Sequence, residues 1–274
     1  MIEIQSQSLL TGIFLSAGLA FLASRFRLLT FSGSIATFFM GTIILGFGGW
    51  AWAVPILVFF LPSSLLSRIG KTRKEKLKDI VEKGGQRDAL QVLANGGVAT
   101  GILLIHLFHP SPTNYGSYLC ALSAAAADTW ATELGALSPN PPRLITNGKR
   151  VPPGTSGAVT LLGVLASLAG ASSITLSGIY FLSIFQLNVW ITNIVVIFSG
   201  VFGSLMDSLL GATLQGQYQC PHCMATTEKH LHCGGTPTSL TKGYSWMTND
   251  VVNFINTLSG AVIGWGLLFL AFRL

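Results

Sequence analysis

Long apolar runs separated by short polar loops dominate the chain, and the length of those runs sets the first expectation. A run of about 20 residues matches the hydrocarbon thickness of a bilayer when it is helical. About eight such helices can be drawn, over residues 9–23, 30–47, 52–67, 89–106, 118–137, 157–181, 189–214 and 247–272. The pattern predicts an all-α, polytopic membrane helical bundle forming a single integral membrane domain over residues 1–274. Residues 68–88 read as a basic interfacial segment, and residues 215–246 as a loop rich in Cys and His. Only Glu3 precedes the first run as a charged residue, and further runs follow closely, so that run is expected to be a retained anchor and not a cleaved signal.

Composition agrees with the pattern. Half the residues are hydrophobic and 9% are charged, against roughly 25% charged in a soluble domain, which excludes a water-soluble core. The net charge of +6 points to lipid headgroups and not to nucleic acid. Basic residues follow every second run: Arg25 and Arg27, then Arg68 to Arg87, then Arg143, Lys149 and Arg150, then Lys229 and Lys242. The alternate loops carry none, so the positive-inside rule places the polar loops in the cytoplasm and both termini outside. Trp50, Trp52 and Trp190 are then expected in the opposite interfacial belt. Without a transit peptide, the expected host is a bacterial or archaeal inner membrane, or a thylakoid.

Acids inside apolar runs are costly unless paired, hydrated or bound to a cation. Asp128, Glu133, Asp207 and Asp250 are such acids, all near predicted cytoplasmic helix ends. Asp128 and Glu133 are five apart, about 140° around a helix, so either the helix is bulged or the two acids have different partners. Asp207 lies between Gly203 and Gly211, which would let a neighbouring backbone approach. Carboxylates from two helices suit Mg²⁺ with phosphate oxygens; an ion relay or a structural polar pair is the competing reading. Arg87, Gln91 and Asn95 recur at four-residue spacing on one helix face, and Asn249, Asn253 and Asn256 form a polar stripe beside Asp250. Gly97 with Gly101, and Gly163 with Ser167, offer small-residue surfaces for helix packing.

Two loops complete the candidate chemistry. Lys149 and Arg150 precede Pro152-Pro153-Gly154-Thr155-Ser156-Gly157, where Thr155 or Ser156 is expected to cap a helix start that favours an anion. Cys220, Cys223 and Cys233, with His230 or His232, have the donors for a Cys₃His zinc site, His230 being the chosen fourth ligand.

The strings Arg87-Asp-Ala-Leu-Gln-Val-Leu-Ala-Asn95-Gly, Ala-Asp128-Thr-Trp-Ala-Thr-Glu133-Leu-Gly, Val151-Pro-Pro-Gly-Thr-Ser-Gly157 and Asp207-Ser-Leu-Leu-Gly-Ala-Thr-Leu-Gln resemble the transmembrane protein 19 family. That family includes phytyl-phosphate kinase and is distantly similar to CTP-using phytol and dolichol kinases. The resemblance implies transfer of a phosphoryl group from a nucleoside triphosphate, CTP foremost, to a prenyl (phytyl) monophosphate. Asp128 and Asp207 would then hold Mg²⁺, with Glu133 as a further ligand or an orienting partner. Lys149, Arg150, Gly154, Thr155, Ser156 and Gly157 would bind the donor phosphates, and Arg87 the acceptor phosphate. Gln91, Asn95, Asn249, Asp250 and Asn253 would complete the polar wall. A prenyl alcohol kinase or a cytidylyltransferase is the alternative within the class, and an ion-coupled transporter the alternative outside it.

Overall fold

The computed structural model describes residues 6–70 and 85–273. Most of the expected interfacial segment 68–88 therefore lies outside the described residues. Among the described residues eight long helices are present: α1 (Ser6–Arg25), α2 (Phe31–Ile43), α3 (Gly49–Leu66), α4 (Ala89–Phe108), α5 (Pro112–Gly135), α6 (Leu161–Gly178), α7 (Val189–Thr213) and α8 (Asn249–Arg273). Their starts are chemically marked. Thr30, Thr160 and Asn188 accept the backbone N–H of Gly33, Gly163 and Ile191. Asp88 and Gln91 form a reciprocal capping box, and Pro112 opens α5 where its missing N–H costs nothing. The cap of α6 is thus Thr160, not Thr155 or Ser156: a short strand, Ala158–Val159 (β2), pairs with Arg143–Leu144 (β1) and delays the helix start.

The protein is a polytopic helical membrane protein. Among the described residues, six stretches are long and apolar enough to cross a bilayer, fewer than the eight expected. Two features account for the difference. The run Phe31–Leu66 holds α2 and α3 in one uninterrupted apolar stretch, which a π-helical turn at Ile44–Gly48 and a positive φ at Gly49 break. Helix α5 is not among the six because Asn, Ser, Thr and Asp interrupt it. Thr30, at the start of α2, donates its backbone N–H to Arg87 O, and Phe59, well along α3, lies under the Arg87 guanidinium. The two arms therefore reach the same level as a hairpin that opens around a groove.

Helix α5 is the hub. Every residue from Asn114 to Asp128 is buried, with α3, α4, α6, α7 and α8 packed around it. Ala124 to Ala127, Cys120 and Ser123 leave little side-chain bulk, and the neighbours answer with glycine. A Cβ at Gly170 would stand 2.7 Å from Ala126 O, and one at Gly260 2.7 Å from Ala124 Cβ. Backbone contact of this kind substitutes dispersion and close dipoles for the hydrophobic effect, which lipid tails do not supply. Gly163 joins this packing as expected, against Ala131 O, but a Cβ at Gly101 would meet nothing within 4 Å. At the far end of α5, Tyr115 and Tyr118 donate to the carbonyls of Ala51 and Trp52. Trp52, expected in the interfacial belt, instead packs 4.7 Å from the Tyr118 ring and is 3% exposed, whereas Trp50 and Trp190 face outward.

The Cys/His loop adds short strands to the helical bundle. Gln217–Gln219 (β3) pairs antiparallel with Thr226–Thr227 (β4) and Ser239–Lys242 (β7), and Leu231–His232 (β5) pairs with Thr236–Pro237 (β6). Overpacking a close helix contact costs about 1–3 kcal/mol. Gly260→Leu is expected to lower the thermal midpoint of the detergent-solubilised protein, whereas Gly266→Leu, where a Cβ meets nothing within 4 Å, is expected to leave it unchanged; fluorescence-detected size exclusion after heating reads both.

Candidate active site

Asp128 ends the buried stretch of α5, and Asp207 sits near the end of α7, the two helices lying side by side. The expected room around Asp207 is present and is used on both sides. A Cβ at Gly203 would stand 2.6 Å from Ala124 Cβ, and one at Gly211 would stand 3.0 Å from Gly157 N. Gly157 (φ 76°) adopts a left-handed conformation that favours glycine and lays the 152–157 loop against Ser208 and Ala212. The loop that follows the basic hairpin is thereby anchored one helical turn from Asp207.

A third acid joins this pair. Glu228, from the Cys/His loop, accepts the Ser156 hydroxyl at 2.6 Å and the Gln215 amide at 2.8 Å through Oε1. Asp207 is within electrostatic reach of both Asp128 and Glu228. Its Oδ2 is shielded from solvent and has no hydrogen-bond partner among the described residues. Like charges gathered with a carboxylate oxygen left open are unfavourable in a low dielectric unless a cation or proton is shared between them. The donor set is all oxygen, which suits a hard divalent ion. Glu228 was not legible as a site residue, although it is the sole acid between Leu214 and Asn249.

Glu133 lies beside a cation. It acts electrostatically on Arg87, whose guanidinium burial draws down from its ordinary value while the Glu133 charge opposes that shift. Arg87 is fixed by its backbone, which accepts from Thr30 and donates to Leu28 O, and by Phe59, whose ring centroid lies 5.6 Å from the guanidinium carbon. The five-residue spacing of Asp128 and Glu133 thus resolves into one acid facing Asp207 and one facing a cation.

Arg87, Gln91 and Asn95 form the polar end of the groove between α2 and α3, whose remaining wall is apolar and includes Met40, Ile56 and Phe60. The groove is open along one side, and Arg87 is the one charged residue that lines it among the described residues. Asn95 donates to Gln91 O, and its Oδ1 is buried without a partner among the described residues. Thr257 of α8 donates to Ala94 O, tying the groove floor to α8.

The α8 stripe divides. Asp250 is 8% exposed, and Asn253 returns its amide to Asn249 O. Asn256 is fully buried against Gly203, with neither amide atom bonded among the described residues. Asn249 shares a small polar cavity with Glu228, Gln215 and His230. Lys149 and Arg150 stand exposed on the 143–150 hairpin, and no side-chain bond joins them to the acids among the described residues. Gly154 has φ 87°, and Thr155 donates to Pro152 O, so these two shape the loop while Ser156 points at Glu228.

In the Cys/His loop the ligand atoms of Cys220, Cys223, His232 and Cys233 all lie within 4.8 Å of one another. The imidazole in that cluster is His232; His230, the expected partner, packs edge-on to the Tyr218 ring at 4.5 Å. The Cys223 backbone, turned toward Cys220, pulls that thiol down to about 6.

No solved structure matches the chain. Protein PGR of Arabidopsis thaliana is 32% identical over 272 residues, covering 91% of this chain and 92% of that protein. An uncharacterized membrane protein of Methanocaldococcus jannaschii is 32% identical over 256 residues, covering 93% and 92%. Protein VTE6, chloroplastic, of Arabidopsis thaliana is 22% identical over 240 residues, covering 86% of this chain and 64% of that protein. Residues 14–261 match the family described as integral membrane protein DUF92. That stretch runs from α1 into α8 and takes in every acid of the cluster, so this chain belongs to the DUF92 family of integral membrane proteins.

Proposed function

We propose that this protein is a kinase that transfers the terminal phosphoryl group of a nucleoside triphosphate, CTP foremost, to a membrane-embedded prenyl monophosphate of the phytyl type. The products are the prenyl diphosphate and the nucleoside diphosphate. One observation carries the reading: an apolar groove with an arginine at its polar end lies at the same end of the bundle as three converging carboxylates. The resemblance to the family that includes phytyl-phosphate kinase, and the similarity to a chloroplastic relative, support it.

In this reading the prenyl tail occupies the groove between α2 and α3, and Arg87 holds the acceptor phosphate with Gln91 and Asn95 beside it. Glu133 keeps the Arg87 guanidinium in place. Asp128, Asp207 and Glu228 are the residues that would hold Mg²⁺, which when bound neutralises charge on the β- and γ-phosphates. The Gly154 to Gly157 backbone and Ser156 border the donor phosphates, with Lys149 and Arg150 drawing the nucleotide to the cytoplasmic mouth. An acceptor oxygen attacks the γ-phosphorus, and the bond to the β–γ bridging oxygen breaks, releasing the nucleoside diphosphate. The acceptor is already an anion, so no strong general base is required, and no histidine lies among the membrane-depth residues of this site. Transport is less well supported: the acids of α5 lie at one end, and Trp52, Tyr115, Tyr118 and Phe185 fill the other.

Purified protein with CTP, Mg²⁺ and a panel of prenyl alcohols and monophosphates is expected to give prenyl diphosphate and CDP from the monophosphates, resolved by mass. Pyrophosphate release with a CDP-lipid product would move the reading to a cytidylyltransferase. Asp207→Asn is expected to lower kcat on the order of 10²-fold or more in protein that elutes like the parent. Arg87→Ala is expected to raise KM for the acceptor more than for CTP, a split that steady-state kinetics with each substrate varied in turn would read.

A further inference from the structure

Residues 217–242 fold as a small three-stranded sheet, in the order β4-β3-β7, and a separate β5–β6 hairpin, with little to hold them. The strands β3 to β7 are two to four residues long, and β7 is exposed throughout. Strands this short, without an apolar face to bury, are not stable in water unless something staples them. The buried side chains here are few, chiefly Tyr218, Cys220 and Thr227. A staple is available at the hairpin tips. Cys220 and Cys223 sit at the end of the β3–β4 hairpin, where Met224 N donates to Cys220 O at 2.9 Å. His232 and Cys233 sit at the end of the β5–β6 hairpin, where Gly235 N donates to His232 O at 3.2 Å. Each tip turns through left-handed residues, Met224 (φ 59°) in the first and Cys233 (φ 44°) with Gly234 (φ 77°) in the second.

We propose that the two tips clamp one zinc ion through Cys220 Sγ, Cys223 Sγ, Cys233 Sγ and His232 Nδ1. The separations fit: His232 Nδ1 lies 3.4 Å from Cys223 Sγ and 3.2 Å from Cys233 Sγ, and all four donor atoms fall within 4.8 Å. A tetrahedral ion with Zn–S of about 2.3 Å and Zn–N of about 2.0–2.1 Å separates its ligands by about 3.6–3.8 Å, so the two His232–thiol pairs would open slightly and the wider pairs close in around it. Three thiolates and one imidazole on paired hairpins form a closed structural set, leaving no open position for substrate.

The ion would also set the position of Glu228. Glu228 and Lys229 link the two clamped hairpins: Thr226 and Thr227 form β4 immediately before them, and Thr238, just after β6, donates to Lys229 O at 2.7 Å. Glu228 in turn receives Ser156 and Gln215 beside Asp207. This consequence rests on the kinase reading above, whereas the metal site itself does not.

Elemental analysis of the full chain, purified in detergent under reducing conditions without chelator and supplied with Zn²⁺, is expected to give about one zinc per chain. Cys223→Ser and His232→Ala are each expected to lose it, while His230→Ala keeps it. With Co²⁺ in place of Zn²⁺, the parent is expected to show thiolate-to-metal charge-transfer absorption that weakens in Cys223→Ser. Sub-stoichiometric metal in the parent, or zinc retained in His232→Ala and lost in His230→Ala, would overturn the site as assigned. Zinc-loaded protein that phosphorylates no prenyl acceptor would leave the metal site standing and remove the kinase reading; active protein that binds no zinc would do the reverse.

Discussion

Helix α5 is apolar without being bulky, and the rest of the bundle depends on that combination. Alanine, serine and glycine let five other helices approach its backbone, as the near-contacts of Gly170 with Ala126 O and of Gly260 with Ala124 Cβ record. A bilayer gives helices no hydrophobic reason to associate, so close packing of this kind must hold them. The same closeness places an acid where water is scarce. Asp128 ends the buried stretch, and Asp207 meets it from α7 because Gly203 and Gly211 let neighbours close in on both sides. Packing and charge are therefore not separate designs: small residues build the bundle and also determine which carboxylates face each other.

The acids face each other at one end only. Toward the other end α5 is sealed by Tyr115 and Tyr118 bonding to the α3 backbone and by Phe185 stacked 4.0 Å from Tyr115. A site that is polar at one membrane surface and plugged at the other suits a lipid-borne substrate whose head must meet a water-borne one. In the proposed kinase, the hairpin of α2 and α3 would give the tail a place beside that head, with Arg87 at the boundary between apolar wall and charged cluster.

Much of this was legible in the residues. Apolar run length outlined the long helices of the described residues, the cost of ionisable groups among them singled out Asp128, Glu133, Asp207 and Asp250, and four-residue spacing drew in Arg87. Periodicity separated Asp128 from Glu133, and the structure gives each a different partner. What stayed hidden depends on chain reversals that periodicity does not encode. Trp52 reads as an interfacial aromatic until the turn at Gly49 folds it inward. His230 and His232 are indistinguishable by spacing, and only the β5–β6 pairing turns His232 toward the thiols. Glu228 is a lone loop acid whose role emerges only when Gly157 brings Ser156 against α7.

The proposed chemistry requires the carboxylates gathered around Asp207 to hold a divalent cation. Electron paramagnetic resonance of Mn²⁺ added to the purified protein, with CTP present and Mg²⁺ as competitor, measures this directly. Saturable Mn²⁺ uptake is expected, displaced by Mg²⁺ and absent from the folded Asp128→Asn/Asp207→Asn double variant. Equal uptake by parent and double variant would contradict it.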